Sequence, residues 1–365
     1  MSRPERVIGW DVGGAHVKAA LVEHGELRDA AQWPCPLWQG MEHLQRAVDA
    51  AALRWPEGLS SAQTVHAVTM TGEMVDLFPH REAGVVAIAE LLERALVGPA
   101  IFYAGEPGWC GATDVRARWE AMASANWLAT AQLAAHVLAR RGGDAGVLVD
   151  IGSTTSDLIA LGGGHPRARG RSDAERLVTG ELVYQGVVRT PLCALGPRIE
   201  FQGVLRNVMN EFFATTADVY RLTGELDPAH DQHPSADGAV KDLAATRRRL
   251  ARMVGLDARD ASEADWLAFA QAWRELQLGE LQGQLQRVID AAALPPQAPL
   301  LAAGCGDFLA QALGERSGRP VGSFATLALG EIAADEPDSV HALRRKAQLA
   351  APACAVALLC SAEAG

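Results

Sequence analysis

The chain contains no apolar run of the roughly 20 residues that a membrane-spanning helix requires. Its longest apolar stretches, residues 147–151 and 350–360, are far too short to cross a bilayer. Residues 1–6 lead directly into a strand-like segment and lack the apolar core of a signal peptide. We therefore expect neither a membrane partner nor export.

Lysine is scarce, and the three lysines are Lys18, Lys241 and Lys346. The formal net charge is −11 and the sequence pI is about 5.4, whereas nucleic-acid binding depends on clustered Lys and Arg. A basic run at residues 247–249 lacks supporting basic or aromatic groups, and we interpret it as a solvated helix face. No nucleic-acid partner is expected. An anionic ligand must therefore be held by local N–H groups, a few cations or a metal ion.

The six cysteines form no CxxC pair, so neither a zinc site nor a dithiol redox motif is indicated. Disulfides are rare in the cytosol, and scattered cysteines in a chain this long are typical of reduced thiols. We expect a cytoplasmic protein. The 49% hydrophobic content supplies a large core and excludes disorder of the whole chain. The length favours two domains or one domain of two lobes.

One pattern occurs twice, about 140 residues apart, which is too far for a solenoid repeat and suits two copies of one lobe. An apolar strand at residues 6–12 ends in Asp11-Val12-Gly13-Gly14 and is followed by a strand at 17–22. A second strand at 146–151 ends in Asp150-Ile151-Gly152-Ser153-Thr154-Thr155 and is followed by a strand at 157–161. We expect two hairpins whose glycines take positive φ.

Such hairpin tips can present backbone N–H groups to an anion, and glycine allows a phosphate to approach the backbone closely. The Asp that ends each preceding strand can hold Mg²⁺, so Asp11 and Asp150 are the predicted metal ligands. A third glycine turn, Gly304-Cys305-Gly306, follows a strand predicted at residues 299–303. The predicted phosphate-binding residues are Gly13, Gly14, His16, Lys18, Gly152, Ser153, Thr154, Thr155 and Arg189.

Three cationic side chains in this set have alternative interpretations. Lys18 is either a point charge that reaches a phosphate or a solvated strand lysine. His16 is either a phosphate donor or a surface-turn histidine. Arg189 is either a bidentate clamp on phosphate or carboxylate, or a surface arginine.

Proton transfer requires a carboxylate with a raised pKa, and the candidates for this base are Asp218, Glu73 and Glu181. The sequence does not rank them. Asp218 follows Thr215-Thr216, which also has the pattern of a helix N-cap. Asp150 is the fourth predicted catalytic residue because it would position the metal.

Helical spacing predicts one long helix over residues 119–141, a helix over 210–223, and two more over 242–254 and 261–292. The tail, residues 341–362, is predicted to be helical with a break at Pro352. We expect a first lobe at residues 1–142, with a C-terminal helix at 340–365 returning to it. A second lobe is expected at 143–339, with a helical insertion around 205–292.

The order of hairpin, long helix, hairpin and strand–Gly-x-Gly–helix resembles the actin, Hsp70 and sugar-kinase superfamily over nearly the whole chain. The resemblance implies an α/β, two-lobed actin-like fold (a duplicated ribonuclease H-like fold) with a cleft between the lobes. It also implies that the hairpins bind phosphate and that Gly304 and Gly306 form a nucleotide-binding turn. The segment at residues 149–157 resembles the hydantoinase/oxoprolinase branch.

Further segments resemble the tetrahydromethanopterin-linked one-carbon pathway proteins of methanogens and methylotrophs, a family that includes a transferase of methylofuran biosynthesis. The segments are Gly9–Ala15 with Lys18, Thr71-Gly72-Glu73, Ser124–Trp127, Thr179–Tyr184 with Gly186 and Arg189-Thr190, and Phe213–Tyr220. This resemblance implies that the phenol of a γ-glutamyltyramine attacks an aminomethyl-furan-methyl diphosphate. An aryl ether forms and diphosphate is released, with Mg²⁺ as cofactor.

Two other classes of function stay open. The first is an ATP-dependent kinase or amidohydrolase of the same superfamily, and the second is a non-catalytic nucleotide-binding scaffold. Kinase-like first hairpins commonly carry Ser, Thr or Asn after the glycine pair, whereas this chain has Ala15 and His16. That difference argues against ATP hydrolysis and leaves nucleotide binding open. The sequence does not determine the oligomeric state.

Overall fold

The computed structural model of the protein describes residues 4–106, 108–330 and 337–363. The chain forms two compact units. Unit 1 comprises Met1–Gly146, Leu161–Arg167 and Ser323–Gly365, and unit 2 comprises Val147–Ala160 and Ala168–Gly322. The first three residues of segment 1–6 and the last two of the predicted tail helix lie outside the described residues.

The strands and helices follow one another along both units. In chain order the strands are β1 (Arg6–Val12), β2 (His16–Glu23), β3 (Glu26–Pro34), β4 (Val65–Met70), β5 (Ala100–Tyr103), β6 (Trp109–Gly111), β7 (Ala145–Ile151), β8 (Ser156–Gly162), β9 (His165–Pro166), β10 (Leu182–Val183), β11 (Arg198–Phe201), β12 (Val204–Asn207), β13 (Leu300–Ala303) and β14 (Val321–Ser323). The α-helices are α1 (Glu42–Arg54), α2 (Pro56–Ser60), α3 (Arg81–Ala95), α4 (Val115–Met122), α5 (Asn126–Arg140), α6 (Asp173–Thr179), α7 (Thr216–Thr223), α8 (Leu243–Arg252), α9 (Glu263–Ala291), α10 (Asp307–Ser317), α11 (Phe324–Leu329), α12 (Asp338–Leu349) and α13 (Ala351–Glu363).

Unit 1 is built on a sheet with the strand order β3-β2-β1-β4-β5-β6. β1 is antiparallel to β2 and parallel to β4. Every residue of β1 after Arg6 is buried, as expected for a central strand covered on both faces. The turn between β1 and β2 therefore projects from the middle of the sheet, directly after the buried residues Asp11 and Val12.

Helix α13 packs directly on β1, and Gly9 makes this approach possible. A Cβ atom at Gly9 would lie 2.1 Å from the carbonyl oxygen of Ala353 and 2.8 Å from the Cβ of Ala357. Both distances are shorter than real Cβ contacts. The alanine-rich helix and the glycine of the strand are therefore matched, and the C-terminal segment forms part of the core of unit 1.

The predicted single helix over residues 119–141 is wrong, because the structure has two helices, α4 and α5, separated by residues 123–125. Ser124 takes a φ of 51°, which no α-helix accommodates. Its hydroxyl donates a hydrogen bond to Oε1 of Glu73 at 2.7 Å, a contact between residues far apart in sequence. A tertiary hydrogen bond thus accompanies a break in a segment whose residues favour one continuous helix. Gly142, with φ of 81°, ends α5 as predicted.

Unit 2 is built on a sheet with the strand order β10-β8-β7-β13-β14, with β9 pairing with β8. β7 is parallel to β13, in a register that places Asp150 opposite Ala303. β7 and β8 are neighbours joined by the turn at residues 152–155. Each sheet thus carries a buried strand, a sharp turn and a returning strand, beside a further parallel strand.

Helices α7, α8 and α9 pack together in unit 2. The predicted helix over residues 210–223 is correct only from Thr216, because Thr215 takes an extended conformation and forms the N-cap. The β11–β12 hairpin at residues 198–207 was not predicted. It is short, and five of its eight residues are exposed, so its alternation is weak.

The predicted break in the tail lies earlier than Pro352, between α12 and α13. Pro352 itself stands in the first turn of α13, where its missing N–H has no helical partner to lose. Within the described residues, none of the helices combines the length and the apolar character needed to cross a membrane.

Candidate active site

The first predicted phosphate hairpin, residues 13–16, is closed by a hydrogen bond from the N–H of Gly13 to the carbonyl of His16 at 3.0 Å. The segment that follows β3 holds the tip from one side. The N–H of Leu37 donates to the carbonyl of Gly14 at 3.0 Å, and the N–H of Cys35 donates to the carbonyl of Ala15 at 2.8 Å. Each peptide carries its C=O and N–H in opposite directions. The N–H of Ala15 therefore points away from this supporting segment.

The carboxylate of Asp11 and the ammonium of Lys18 lie together beside this tip. The two residues are directly opposed in the β1–β2 register, and Lys18 Nζ lies 3.7 Å from Asp11 Oδ2. Asp11 is 3% exposed, whereas Lys18 is partly exposed. Lys18 is therefore only partly exposed, and its ammonium group lies beside Asp11 at the hairpin.

His16 is 6% exposed, which excludes the surface-turn alternative for this residue. Thr71 and Gly72 support the same tip from the end of β4. The N–H of Thr71 donates to the carbonyl of Val12 at 2.9 Å, and a Cβ at Gly72 would lie 3.2 Å from the carbonyl oxygens of both Val12 and Gly13. Segment 71–73, singled out in the sequence, is therefore part of the wall of the first hairpin.

The second hairpin, residues 152–155, is closed in the same way, by the N–H of Gly152 donating to the carbonyl of Thr155 at 2.8 Å. A loop at residues 186–190 supports it. The N–H of Val187 donates to the carbonyl of Gly152 at 3.0 Å, and the N–H groups of Val188 and Arg189 donate to the carbonyl of Ser153 at 3.1 and 2.9 Å. Both carbonyls of the tip are thereby directed at this loop.

On the face of the second hairpin opposite this loop, the direction of the N–H groups follows from peptide geometry. Because the carbonyls of Gly152 and Ser153 face the loop, the N–H groups of the same two peptides, those of Ser153 and Thr154, point the other way. Within the described ranges, neither N–H group donates to another part of the protein. Successive N–H groups of this kind form an anion-binding nest. This is the strongest geometric support for a phosphate site.

The structure corrects the expectation that the hairpin glycines take positive φ, because Gly13, Gly14 and Gly152 are not among the positive-φ glycines. Space explains the first two. A Cβ at Gly13 would lie 2.8 Å from the carbonyl oxygen of His16, and one at Gly14 would lie 2.8 Å from Val75 Cγ1. At Gly152 the nearest atom would be the Thr155 carbonyl oxygen at an ordinary 3.4 Å. The N–H groups of Gly13 and Gly152 close the turns, so the favoured anion donors are Ser153 and Thr154.

Gly186 was noted in the sequence only as part of a resemblance, yet it has the closest backbone packing at the second hairpin. A Cβ there would lie 2.5 Å from both Ser153 C and Thr154 N, and 2.6 Å from the carbonyl oxygen of Gly152. Only a residue without a side chain fits against this peptide. Its carbonyl accepts hydrogen bonds from Thr216 Oγ1 at 2.9 Å and Gln277 Nε2 at 3.1 Å. The sequence offered no pattern that would link Gln277 to the hairpin.

Arg189 lies at the same tip, where its Nη1 donates to Thr154 Oγ1 at 3.3 Å. It is half-buried, which excludes the surface-arginine alternative. Burial lowers the pKa of Arg189 from its usual value, although a guanidinium retains its charge at neutral pH. A cation is thus placed beside the predicted N–H nest.

The third glycine turn packs on the end of β7. Gly304 takes a φ of 81°, and a Cβ there would lie 2.3 Å from the carbonyl oxygen of Ile151 and 2.6 Å from Asp150 Oδ1. The N–H of Gly306 donates to that same carbonyl of Ile151 at 2.8 Å. Gly304 and Gly306 therefore define the space around the Asp150 carboxylate. Their predicted role in binding a nucleotide stays a prediction.

Two of the three candidate bases are heavily engaged in unit 2. The oxygens of Glu181 accept from the N–H of Arg169 at 2.6 Å, from the N–H of Gly170 at 2.9 Å and from Thr179 Oγ1 at 2.7 Å. Two backbone N–H groups and one hydroxyl thus occupy both oxygens of this carboxylate. These contacts favour a role in holding the loop at residues 169–181.

Asp218 caps helix α7 and joins a buried ion-pair cluster. Its Oδ1 accepts from Arg221 Nη1 at 2.7 Å and from Arg249 Nε at 2.8 Å, and its Oδ2 accepts from the N–H of Thr215 at 3.2 Å. Arg249 is fully buried and also contacts Asp237, so the interpretation of residues 247–249 as a solvated face is wrong at Arg249. The run contains a buried partner for Asp218.

Glu73 is the remaining candidate, and it belongs to the 3-10 turn Gly72–Met74 beside the first hairpin. It is buried, and its Oε1 accepts from Ser124 Oγ at 2.7 Å. A neutral hydroxyl donor stabilises a carboxylate less than the two arginines at Asp218 do. Glu73 therefore lies beside the first hairpin with a hydroxyl partner, and it stays a candidate for the base.

The described residues fit a magnesium ion only if substrate phosphates and water complete its ligands. Among the described residues, no group of three or more His, Cys, Asp or Glu side chains is arranged to hold a metal. Mg²⁺ is commonly held by one or two carboxylates together with substrate phosphates and water. In unit 1 the buried Asp11 carboxylate is a donor of this kind, and in unit 2 the buried Asp150 carboxylate is another, with the absent Cβ of Gly304 leaving room beside it. The role of each carboxylate as a magnesium ligand stays a prediction.

Two cavities within the units do not include any predicted phosphate-binding residue. A cavity of about 560 Å³ in unit 1 is bordered by α5, α11 and α13, with His136 and His165 at its rim. One of about 620 Å³ in unit 2 is bordered by Arg247, Arg248 and Trp266. The candidate site is therefore defined by backbone geometry rather than by either cavity.

The sequence of this chain is similar to those of known proteins. The sequence model of the family described as hydantoinase/oxoprolinase matches residues 64–320. A Methanocaldococcus jannaschii protein named (4-{4-[2-(γ-L-glutamylamino)ethyl]phenoxymethyl}furan-2-yl)methanamine synthase is 28% identical over 264 residues, which are 72% of this chain and 76% of that protein. The synthase of the same name from Methanococcus vannielii is 34% identical over 116 residues, 32% of this chain and 52% of that protein.

Among solved structures, the nucleotide-free acetone carboxylase is similar, with a TM-score of 0.54 and 12% identity over 85% of this chain and 68% of that chain. At this identity the likeness concerns the fold alone. The expected fold class, α/β of the actin-like type, is confirmed. The carboxylase gives no information on the substrate of this chain.

Proposed function

Because the chain belongs to the hydantoinase/oxoprolinase family, we propose that it is a synthase of methylofuran biosynthesis that joins a phenol to a furan-methyl group. The observation that carries the proposal is the similarity to the Methanocaldococcus jannaschii synthase along 72% of the chain. The printed name of that relative describes a phenoxymethyl-furan, in which the phenol oxygen is bonded to the methylene carbon of the furan.

The reaction that makes this ether has a simple balance. The phenol oxygen of γ-glutamyltyramine bonds to the methylene carbon of an aminomethyl-furan-methyl diphosphate. The bond between that carbon and the diphosphate oxygen breaks, diphosphate leaves with its electron pair, and the phenol proton passes to a base. The furfuryl carbon supports developing positive charge. The protein therefore has to bind the departing anion, orient the phenol and accept one proton.

The second hairpin supplies what a departing diphosphate requires. The N–H groups of Ser153 and Thr154 face away from their supporting loop, and Arg189 stands beside them. Donors that are fixed before the reaction stabilise developing charge without reorganisation. Because the chain is acidic, these local donors must outweigh the average electrostatic repulsion that an anion meets.

The first hairpin contributes the charges of Asp11 and Lys18. Asp11 and Asp150 are the residues that would hold Mg²⁺ in the proposed site, and the ion would supply positive charge for the leaving diphosphate. Lys18 supplies a point charge for the same anion. Glu73, beside the first hairpin and bonded to the Ser124 hydroxyl, is the proposed acceptor of the phenol proton.

The proposal is tested by incubating the protein with Mg²⁺ and the two substrates and following the ether by mass spectrometry and diphosphate by a coupled assay. We expect equal amounts of both products. A matched substrate, γ-glutamyl-phenethylamine, lacks only the phenol hydroxyl and should give neither product. Turnover of ATP without ether formation would instead support the kinase or amidohydrolase alternative. Nucleotide binding without turnover would support the scaffold alternative.

A further inference from the structure

Helix α9 carries one buried amide on an otherwise apolar face. Gln277 is 1% exposed and follows the buried residues Trp266, Phe269, Ala270 and Trp273. Burying an amide is costly unless its polar atoms are hydrogen-bonded, so a leucine or methionine would be the ordinary choice here. The position therefore calls for an explanation beyond core packing.

Both polar atoms of this amide are bonded within unit 2. Tyr220 donates its hydroxyl to Gln277 Oε1 at 2.6 Å, and Gln277 Nε2 donates to the carbonyl of Gly186 at 3.1 Å. Burial raises the pKa of Tyr220 well above its usual value, so the phenol keeps its proton and remains a donor. With its oxygen accepting from Tyr220, the amide is oriented to present its NH₂ group to Gly186.

Thr216 bonds the same carbonyl. Its Oγ1 donates to the Gly186 oxygen at 2.9 Å, while its N–H donates to the carbonyl of Thr190 at 2.9 Å. The hydroxyl of Thr190 in turn accepts from the N–H of Gly186 at 2.8 Å. Gly186 is therefore fixed at both its N–H and its C=O by residues that lie outside the hairpin.

Gly186 transmits this position to the hairpin because nothing separates the two backbones. Its missing Cβ would lie 2.5 Å from the peptide that joins Ser153 to Thr154. The three residues after Gly186 donate their N–H groups to the tip carbonyls. A shift of Gly186 must therefore move the peptides whose N–H groups form the nest.

We propose that Gln277 and Thr216 are positioning residues for the leaving diphosphate, acting through the Gly186 peptide on the N–H groups of Ser153 and Thr154. Tyr220 sets the orientation of the Gln277 amide in this role. The inference rests on the proposed function for the identity of the anion. It extends that function to residues of α7 and α9 that do not touch the substrate.

The experiment compares Thr216→Val, Gln277→Met and the double variant. Both substitutions preserve volume; the first removes one donor to Gly186, and the second removes the other donor together with the acceptor of the Tyr220 hydroxyl. Thr223→Val removes a hydroxyl at the other end of α7, and Gln286→Met removes an exposed amide from α9. Affinity for inorganic diphosphate with Mg²⁺ is measured by calorimetry. Thermal unfolding is followed in parallel, and hydrogen exchange is measured at the N–H groups of Val187, Val188 and Arg189.

Each single variant should weaken diphosphate binding about three- to tenfold and speed exchange at these three N–H groups. The double variant should lose more than the product of the two, because a buried carbonyl is then left without a donor. Thr216→Ser should restore affinity, and the two control variants should bind as the wild type does.

The proposal is overturned if the variants lower the unfolding temperature but leave diphosphate affinity and exchange at residues 187–189 unchanged. If the wild-type protein binds no diphosphate, the proposed function fails. The exchange measurement then still decides the positioning role: unchanged exchange overturns it, and faster exchange limited to the variants that contact Gly186 supports it.

Discussion

The hairpins at residues 13–16 and 152–155 are closed by the same internal hydrogen bond and are each held by a neighbouring segment that binds their carbonyls. They differ in what they offer a ligand. The first presents a buried histidine and an Asp11–Lys18 ion pair, whereas the second presents hydroxyls, an arginine and two N–H groups directed away from their support. The same turn thus carries an ion pair in the first hairpin and a backbone N–H nest beside an arginine in the second.

This difference suggests a division of labour. Point charges act over distance and are screened by salt, while fixed N–H groups act at contact and depend on exact backbone position. We therefore expect substitutions in the first hairpin to change the salt dependence of diphosphate binding. Substitutions that move backbone in the second should change its affinity at all salt concentrations.

The largest effect is expected at the feature the hairpins share, the terminal carboxylate. Asp11→Asn and Asp150→Asn should each reduce turnover about a thousandfold or more, because each removes metal-assisted stabilisation worth several kcal/mol. Steady-state kinetics at limiting Mg²⁺ make the measurement, with unfolding curves as the control for folding. Near wild-type activity in either variant would remove that carboxylate from the metal site.

The next largest effect is expected to depend on how rigid the surroundings of each hairpin are. Gly186→Ala places a methyl group against backbone atoms at 2.5 Å, whereas Gly14→Ala meets the end of a valine side chain at 2.8 Å. We expect Gly186→Ala to lower the free energy of unfolding by about 1–3 kcal/mol and to weaken diphosphate binding, with a smaller loss for Gly14→Ala. Denaturant unfolding and calorimetry test both. Equal losses would mean that the second tip is no more constrained than the first.

A smaller effect is expected from the cations. Lys18→Met should weaken diphosphate binding several-fold and flatten its dependence on salt, because a partly exposed point charge is lost. Arg189→Met removes a half-buried cation and should flatten the salt dependence less. Affinities measured over a series of salt concentrations give both slopes. The same slope in Lys18→Met and in the wild type would place the lysine outside the anion site.

The smallest effect is expected at single side chains of the second tip. Ser153→Ala should cost no more than about 1 kcal/mol of diphosphate affinity, because the N–H of residue 153 remains. Gly152→Ala should fold normally, since its Cβ would have ordinary contacts and its φ is negative. A loss at Ser153→Ala as large as that at Gly186→Ala would show that the hydroxyl, not the backbone, binds the anion.

Much of the fold could be predicted because local patterns and tertiary structure agree. The repeated sequence of apolar strand, Asp and Gly located both hairpins, and the Gly142 stop located the end of α5. The break at Ser124 could not be predicted, because it depends on a hydrogen bond to Glu73, a partner about fifty residues away that no local period reveals.

The sequence predicts the residues at the strand ends and turn tips of the candidate site, but not the residues that support those turns. Asp11, Asp150 and the tip residues follow directly from the strand–turn pattern. The roles of Gly186 and Gln277 arise from contacts between residues 32 to 91 positions apart in the sequence, which periodicity cannot show. The buried partners of Asp218 were hidden for the same reason, since Arg249 stands in a run that has a typically solvated composition.

The packing of α13 on β1 has a consequence for how the chain acquires its structure. Gly9 packs against Ala353 and Ala357, so the central strand of unit 1 is covered by a helix that comes much later in the sequence. During synthesis, that strand leaves the ribosome long before its covering helix exists, and contacts of such high sequence separation form slowly. We expect nascent chains that stop before α13 to recruit chaperones through the uncovered face of β1, whereas the completed chain buries it.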